Sequence, residues 1–478
     1  VKPLSAFILP LLLTFSAHAQ LSGSLHGILP GDSVYTVVGD IEVDSGDSLI
    51  IEAGAVLLFD YYIQFDIRGY LHAAGTENDS IKFMKRGAME WQGLDFNLFS
   101  TPFSRLEYCL IAGSSASGIS CNVSNPIITN CTIIGNTSLF YGGGIQLNNS
   151  EPTIEDCYIG HNTASYYGGG IYCDNSADPV ISNCTIEGNE AYWHGGGIFC
   201  HSSNPTIYDC ILSGNTSFDE GGGIYIYNSS PSITGCVIDH SSAFNNGGGL
   251  YFNSSNSVIA NSTISCNTAL NQQGGGIYCS SSNLYLLNTI LEGSSGNYGM
   301  YLENSPGVSI NYCNFYNNQN GNFYNPPGGV GIIVTTNING DSCDYCHNIF
   351  LNPLFVDPVN SNYNLMQASP AIDAGAPYSP INPDGTIADI GAYYFDQTPT
   401  PVIEGLTITL EGDNVVLQWS PFAGAISYNI YRSEIPYFEV TGLTPIGSAT
   451  QPQYIDIGAL ENGVFFYRVT AEILNTEY

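Results

Sequence analysis

From Leu106 to about residue 330 the chain repeats one short pattern, in which apolar and polar residues alternate for a few positions and then give way to Gly, Asn or Ser. Pieces such as Pro205-Thr-Ile-Tyr-Asp-Cys210 read as strands, and no segment carries the 3.6-residue period of an amphipathic helix. The pattern is strictly periodic. Triple glycines begin at Gly142, Gly168, Gly195, Gly221, Gly247 and Gly274, steps of 26 or 27 residues. A second column runs Cys109, Cys131, Cys157, Cys184, Cys210, Cys236, Ser262, Thr289, Cys313, and a third Cys121, Leu147, Cys173, Cys200, Ile226, Phe252, Cys279. Prolines recur at Pro126, Pro152, Pro179, Pro205 and Pro231. One period shared by four columns predicts a solenoid, since a single coil of this size cannot bury its own apolar face.

Stacked parallel strands lie ~4.8 Å apart, so each column becomes a ladder of like residues. In Gly-Gly-Gly-Ile-Tyr-Cys, strand alternation puts Ile and Cys on one side and Tyr on the other. Leu147, Ile226 and Phe252 replace Cys in that column, which marks the Cys side as the core and the cysteines as small buried hydrophobes. The Asn column (Asn136, Asn162, Asn189, Asn215, Asn267, Asn318) falls at a turn, where amides can bond along the stack and tolerate left-handed backbone. The outward column is Tyr172, Phe199, Tyr225, Tyr251, Tyr278, Tyr301, predicted here to form an exposed aromatic strip. A second aromatic set precedes the glycines: Phe140, Tyr141, Tyr166, Tyr167, Tyr192, Trp193, Phe218 and Phe244. Cys343-Asp-Tyr-Cys346 lies outside the ladders, and a local disulfide is expected there rather than zinc.

Ile133-Ile-Gly-Asn136, Ile159-Gly-His-Asn162 and Phe315-Tyr-Asn-Asn318, paired with Gly-Gly-Gly-Ile, resemble the repeats of chlamydial polymorphic outer-membrane proteins, and more widely of secreted bacterial right-handed β-helix proteins. Gly39–Val43, Ile50–Gly54 and Trp91–Gly93 resemble that group's opening coils, and Ser369–Gly375 with Asp384–Gly385 and Ala388–Ala392 its closing segment. Residues 402–478 resemble a fibronectin type III domain on Val415–Trp419, Ser427–Tyr431 and Phe465–Thr470. The implied fold is all-β: a right-handed, single-stranded parallel β-helix followed by a small β-sandwich. The expected boundaries are opening coils from 20 to about 105, regular coils over 106–330, a closing segment over 331–397 and the sandwich over 402–478. Only Glu472–Tyr478 follow the expected F strand, so the natural chain is expected to continue into a G strand.

Composition narrows the function. Eight Lys and Arg against 42 Asp and Glu give a net charge of −34, which excludes nucleic acid and anionic lipid as partners. Lys2, the apolar run Phe7–Phe15 and Ala17-His18-Ala19 read as a signal peptide over 1–19, which implies a secreted or cell-surface protein with no membrane span. No Lys or Arg occurs from Leu106 to Tyr431, so the Lys/Arg-based chemistry of polyuronate lyases of this fold has no residues to run on. A hydrolase would need only two separated acids, with Asp156, Asp174, Asp219 and Glu220 the candidates. Asn382, Asp384 and Asp389 are candidate calcium ligands, in a segment lacking the terminal bidentate acid of a full loop. The expected function is therefore a monomeric, non-catalytic glycan-binding or adhesion protein that uses Tyr172, Phe199, Tyr225, Tyr251, Tyr278 and Tyr301. A polysaccharide-degrading hydrolase of the pectin-lyase-like fold is the alternative.

Overall fold

The computed structural model describes residues 19–98, 103–398, 403, 405–422, 425–433, 435, 440, 444–459 and 465–473. It divides into two units, Val1–Phe395 and Asp396–Tyr478. The expected signal peptide lies outside the described residues except for Ala19, and so does the tail after Ile473.

The first unit is a parallel solenoid. Each regular coil contributes four strand pieces. In the coil that opens at Thr153 these are Thr153–Glu155, Tyr158–Gly160, Thr163–Ala164 and Ile171–Asp174. Each piece pairs in parallel with its equivalent in the next coil, as Tyr158–Gly160 does with Thr185–Glu187 and Ile171–Asp174 with Ile198–His201. Four faces result. The first holds twelve strands, from Gly27–Leu29 to Ser309–Asn311, and the third six, from Thr137–Ser138 to Thr268–Ala269. Near the start one long strand, Val34–Val43, spans the second and fourth faces, pairing with Val56–Phe59 and then with Phe65–Ile67.

The interior is the one the alternation predicts. Ile154, Ile159, Ile171 and Cys173 are fully buried, and Cys131, Cys157, Cys184, Cys210 and Cys236 line one inner corner at 0–2 % exposure. The Asn column differs in one respect. Its members have ordinary backbone, and the left-handed residue is the one before, as at Gly135, His161, Gly188 and Gly214. That bend turns the amide inward, where Asn136, Asn162 and Asn189 each bond to the Asn one coil on: Asn162 donates from Nδ2 to Asn189 Oδ1 at 3.0 Å and to the Ile133 carbonyl at 2.9 Å. In each glycine triplet only the first residue is left-handed (Gly168, φ +67°). The third is needed for space, since a Cβ on Gly170 would lie 2.6 Å from the Gly197 carbonyl oxygen.

The closing segment folds back along the outer side of the second face. The two hairpins Ile333–Thr336/Ser342–Asp344 and Phe355–Asp357/Asn362–Leu365 precede a turn-rich stretch to Phe395. Phe355, Tyr363, Leu365, Ala371 and Ile390 pack on Ile211, Val237 and Ile290, residues that point out of the solenoid. Tyr363 and Ser361 donate from their hydroxyls to Asp239 at 2.9 and 2.5 Å, beneath that cover. The expected disulfide between Cys343 and Cys346 is absent. Cys343 belongs to this outer cluster and Cys346 packs against the solenoid core, so their side chains diverge.

The second unit contains two three-stranded antiparallel sheets. One is Thr407–Glu411, Asn414–Gln418 and Gln453–Asp456, and the other Gly447–Ala449, Ala425–Ser433 and Phe466–Ile473. Val415, Leu417 and Trp419 of one sheet and Tyr428, Ile430 and Val469 of the other share a small apolar core. Arg432 pairs with Asp456 at 2.9 Å.

Candidate functional site

The outward aromatic column is not a surface. Tyr172, Phe199, Tyr225, Tyr251 and Tyr278 are only 5–7 % exposed. Their rings stack along the helix axis, with Phe199–Tyr225 centroids 5.3 Å apart at 2° and Tyr225–Tyr251 at 4.9 Å and 6°. Tyr301 continues the stack at 5.2 Å and Tyr324 ends it at 4.2 Å. The cover comes from the turn before the glycines, which folds over this column. Tyr141 stacks on Tyr172 at 4.7 Å, Tyr167 on Phe199 at 4.6 Å and His194 on Tyr225 at 4.5 Å.

The second aromatic set supplies the exposed surface. Three rows run along the solenoid ahead of the glycines. The inner row is the cover itself: Tyr141, Tyr167, His194, Glu220, Asn246. The middle row is Phe140, Tyr166, Trp193, Asp219, Asn245. The outer row is Leu139, Ser165, Tyr192, Phe218, Phe244, Leu270. Backbone bonds hold the rows in register, with Tyr192, Phe218 and Phe244 each donating N–H to the coil before at 3.0–3.1 Å. Phe140, Trp193, Tyr192, Phe218, Phe244 and Leu270 are exposed, Trp193 by 49 %. Phe140 and Tyr166 stack at 6.1 Å and 8°, and Tyr192 and Phe218 at 5.0 Å and 24°. The result is an oblique ridge that shifts from the middle row to the outer row at Trp193. Six coils of it measure about 24 Å at the rung spacing.

Polar groups flank the ridge. Asp219 accepts from Asn245 Nδ2 at 2.6 Å and lies 3.6 Å from His194 Nδ1. Glu220 accepts from Asn246 Nδ2 at 3.1 Å. Burial raises the Glu220 carboxyl above its ordinary range. Burial also lowers His194, against a smaller opposing effect of Asp219. At one end the ridge opens on an apolar cleft of about 390 Å³ that includes Tyr62, Leu139, Phe140 and Gln146. At the other it opens on an amide-rich cleft of about 310 Å³ that includes Leu270, Asn271, Gln272, Asn297, Gln319 and Asn320.

The remaining candidate acids are dispersed. Asp156 sits in a left-handed turn, and Asp174 binds the Tyr172 hydroxyl at 3.0 Å and His201 at 2.8 Å. The calcium candidates are turned to other work. Asp389 is buried and accepts from the N–H of Asp373 and Phe395 and from Asn382, while Asp384 caps Thr386 at 3.0 and 2.7 Å. Among the described residues no group of three or more His, Cys, Asp or Glu is placed to hold a metal. No described helix is long and apolar enough to cross a membrane.

The chain belongs to the right-handed β-helix family, whose profile matches residues 92–232 and 217–350, together more than half of its length. Among solved structures it is similar to the pectate lyase Pel9A. The identity is 14 %, the match covers 72 % of this chain and 88 % of that one, and the TM-score is 0.36. No curated protein sequence matches it.

Proposed function

We propose that the β-helix is a secreted or cell-surface glycan-binding module without catalytic activity, and that its ligand is an uncharged polysaccharide lying along the ridge from Phe140 to Leu270. The observation that carries this is the exposed ring series Phe140, Tyr166, Trp193, Tyr192, Phe218, Phe244 on a rigid parallel scaffold. Flat rings match the apolar faces of sugar rings, and the amides beside them match sugar hydroxyls. Asp219 and Glu220 beside the ridge, with no Lys or Arg from Leu106 to Tyr431, disfavour a polyuronate. The repeat resemblance to chlamydial surface proteins supports display outside the cell. The strand order of the second unit supports a fibronectin type III-like spacer. A hydrolase ranks second, on the raised carboxyl of Glu220 next to Asp219. These acids are neighbours on one turn, and each is held by an amide of the following coil, so nothing sets them across a substrate from one another.

The test is a glycan array on the full chain, followed by calorimetry with Trp193→Ala and Phe218→Ala. Each ring removed should weaken binding about two- to twelvefold, from ~0.5–1.5 kcal/mol per stacking contact. Binding that ignores both substitutions, or cleavage of the bound glycan, would overturn the proposal.

A further inference from the structure

The solenoid unit has one end that is unlike the rest of the chain. From Asn304 to Gly340 there is no Asp, Glu, Lys, Arg or His, in a protein of net charge −34. This charge-free stretch includes the strand Ile333–Thr336, whose four residues are all exposed. Ile332, Ile333, Val334 and Ile338 are exposed by 51–70 %, and Tyr324 and Tyr345 lie exposed in the same part of the chain. On one edge the strand pairs with Ser342–Asp344, in a register that slips around Val334. On its other edge no strand pairs with it among the described residues. A β-branched, uncharged strand with an open edge is a template for another strand, and proteins ordinarily blunt such edges with charge, Pro or cover. Here the strand carries no charge, no Pro and no cover, so that its shortness and the register slip are all that blunt the edge.

We infer that this strand joins two copies of the chain, in place of the monomer expected from the sequence, by antiparallel pairing about a two-fold axis near Val334. The occupant follows from charge. Two copies carrying −34 each repel wherever acidic surfaces face one another, and along this uncharged strand, with Asp341 at its hairpin turn, that penalty is reduced. The strand is also self-complementary, as a two-fold interface requires: Ile-Ile-Val-Thr-Thr against its own reverse sets apolar and hydroxyl side chains together with no charge to match. The inference is independent of the glycan ridge, which uses other coils and other residues.

Sedimentation equilibrium on the full chain tests it. The chain should form a dimer at micromolar concentration, and added salt should strengthen the dimer because the general repulsion is screened. Val334→Lys should weaken it about a hundredfold, since a two-fold axis sets the new charges against each other. Val334→Glu should do the same. An equimolar mixture of the two variants should restore the dimer. Val334 is largely exposed, so neither change should alter the circular dichroism of the β-helix. A chain that stays monomeric in high salt, a dimer indifferent to both variants, or a mixture that fails to reassociate would each overturn the inference. The last result would point to cover by another part of the same chain.

Discussion

Asn189→Ala probes the internal amide ladder, and the structure sets its cost. Asn189 is fully buried. Its Nδ2 donates to the Ile159 carbonyl at 2.9 Å and to Asn215 Oδ1 at 3.0 Å, and its Oδ1 accepts from the backbone and side-chain nitrogens of Asn162, both at 3.0 Å. Alanine removes all four bonds. The losses are unequal. Asn162 Nδ2 keeps the Ile133 carbonyl, and Asn215 Oδ1 keeps the Asn189 N–H. The Asn162 N–H loses its acceptor in a dry interior. One orphaned buried donor at ~1–3 kcal/mol and three weakened sites at ~0.5–1 kcal/mol each give about 2.5–6 kcal/mol. Asn189→Ser should cost about half as much, because Ser241 and Ser294 occupy this column two and four coils later, taking Asn215 as the first step. The assay is urea unfolding followed by β-sheet circular dichroism, with hydrogen exchange at Asn162 to localise the effect, since coils of a solenoid can open singly. A loss under about 1 kcal/mol for Asn189→Ala, with Asn162 still protected, would refute the ladder as a source of stability.

Two further predictions concern the stacked rings and pH. Tyr225→Ala removes a ring held between Phe199, Tyr251 and His194, and should lower stability by about 3–5 kcal/mol, as large aromatic truncations in cores do, while leaving the exposed ridge residues in place; a thermal midpoint equal to that of the parent would restore this column to the surface. Burial is the first cause of raised carboxyl pKa at Asp95, Asp209, Glu220, Glu292 and Asp389. Each therefore contributes stability that is full below the unfolded value of about 4 and is lost as pH rises through the folded value. His194 has the opposite sign, with stability present above its unfolded value of about 6.5 and lost as pH falls through its lowered pKa. Five groups against one predict a midpoint that rises from pH 7 to about 4.5, and calorimetry showing a fall over that interval would contradict the assignment.

The repeat made most of the solenoid legible. A column that keeps a 26- or 27-residue period must stack, and substitutions within it show which side is apolar, so the Cys and Ile columns were placed inside from the letters alone. Alternation carries less information on the outer side. It says that Tyr225 leaves the sheet away from the core, and nothing about what lies beyond. The answer was in the residues just before the glycines, where Tyr141, Tyr167 and His194 are long and flat enough to fold back onto the column. The packing of the closing segment on the second face likewise left a trace. The outward residue of that face is Thr132, Tyr158 and Thr185 in early coils, then Ile211, Val237, Thr263 and Ile290 where the segment lies, three of the four apolar and Thr263 bonded to the Ala392 N–H. The cysteine pair failed for a geometric reason: a two-residue spacing brings backbones near without aiming the sulfurs at each other.

Burying one aromatic column is what allows another to be presented. The turns before the glycines are loops, and five loops bearing six large exposed rings would ordinarily have to be ordered when a ligand bound, at a cost of roughly 0.5–1.5 kcal/mol per immobilised side chain. Here the turn is ordered beforehand. Tyr141, Tyr167 and His194 of its inner row are stacked on the buried ladder, its backbone is bonded to the coil before, and the left-handed first glycine fixes where it enters the next strand. Trp193 is held between a neighbour, His194, stacked on Tyr225 and a backbone N–H bonded to Tyr166 in the previous coil. The exposed rings thus stand 5.0–6.3 Å apart along the ridge without any ligand, and in the proposed glycan binding the buried tyrosines would act only through that spacing. Loosening the ladder should therefore blur the ridge without removing a single residue from it.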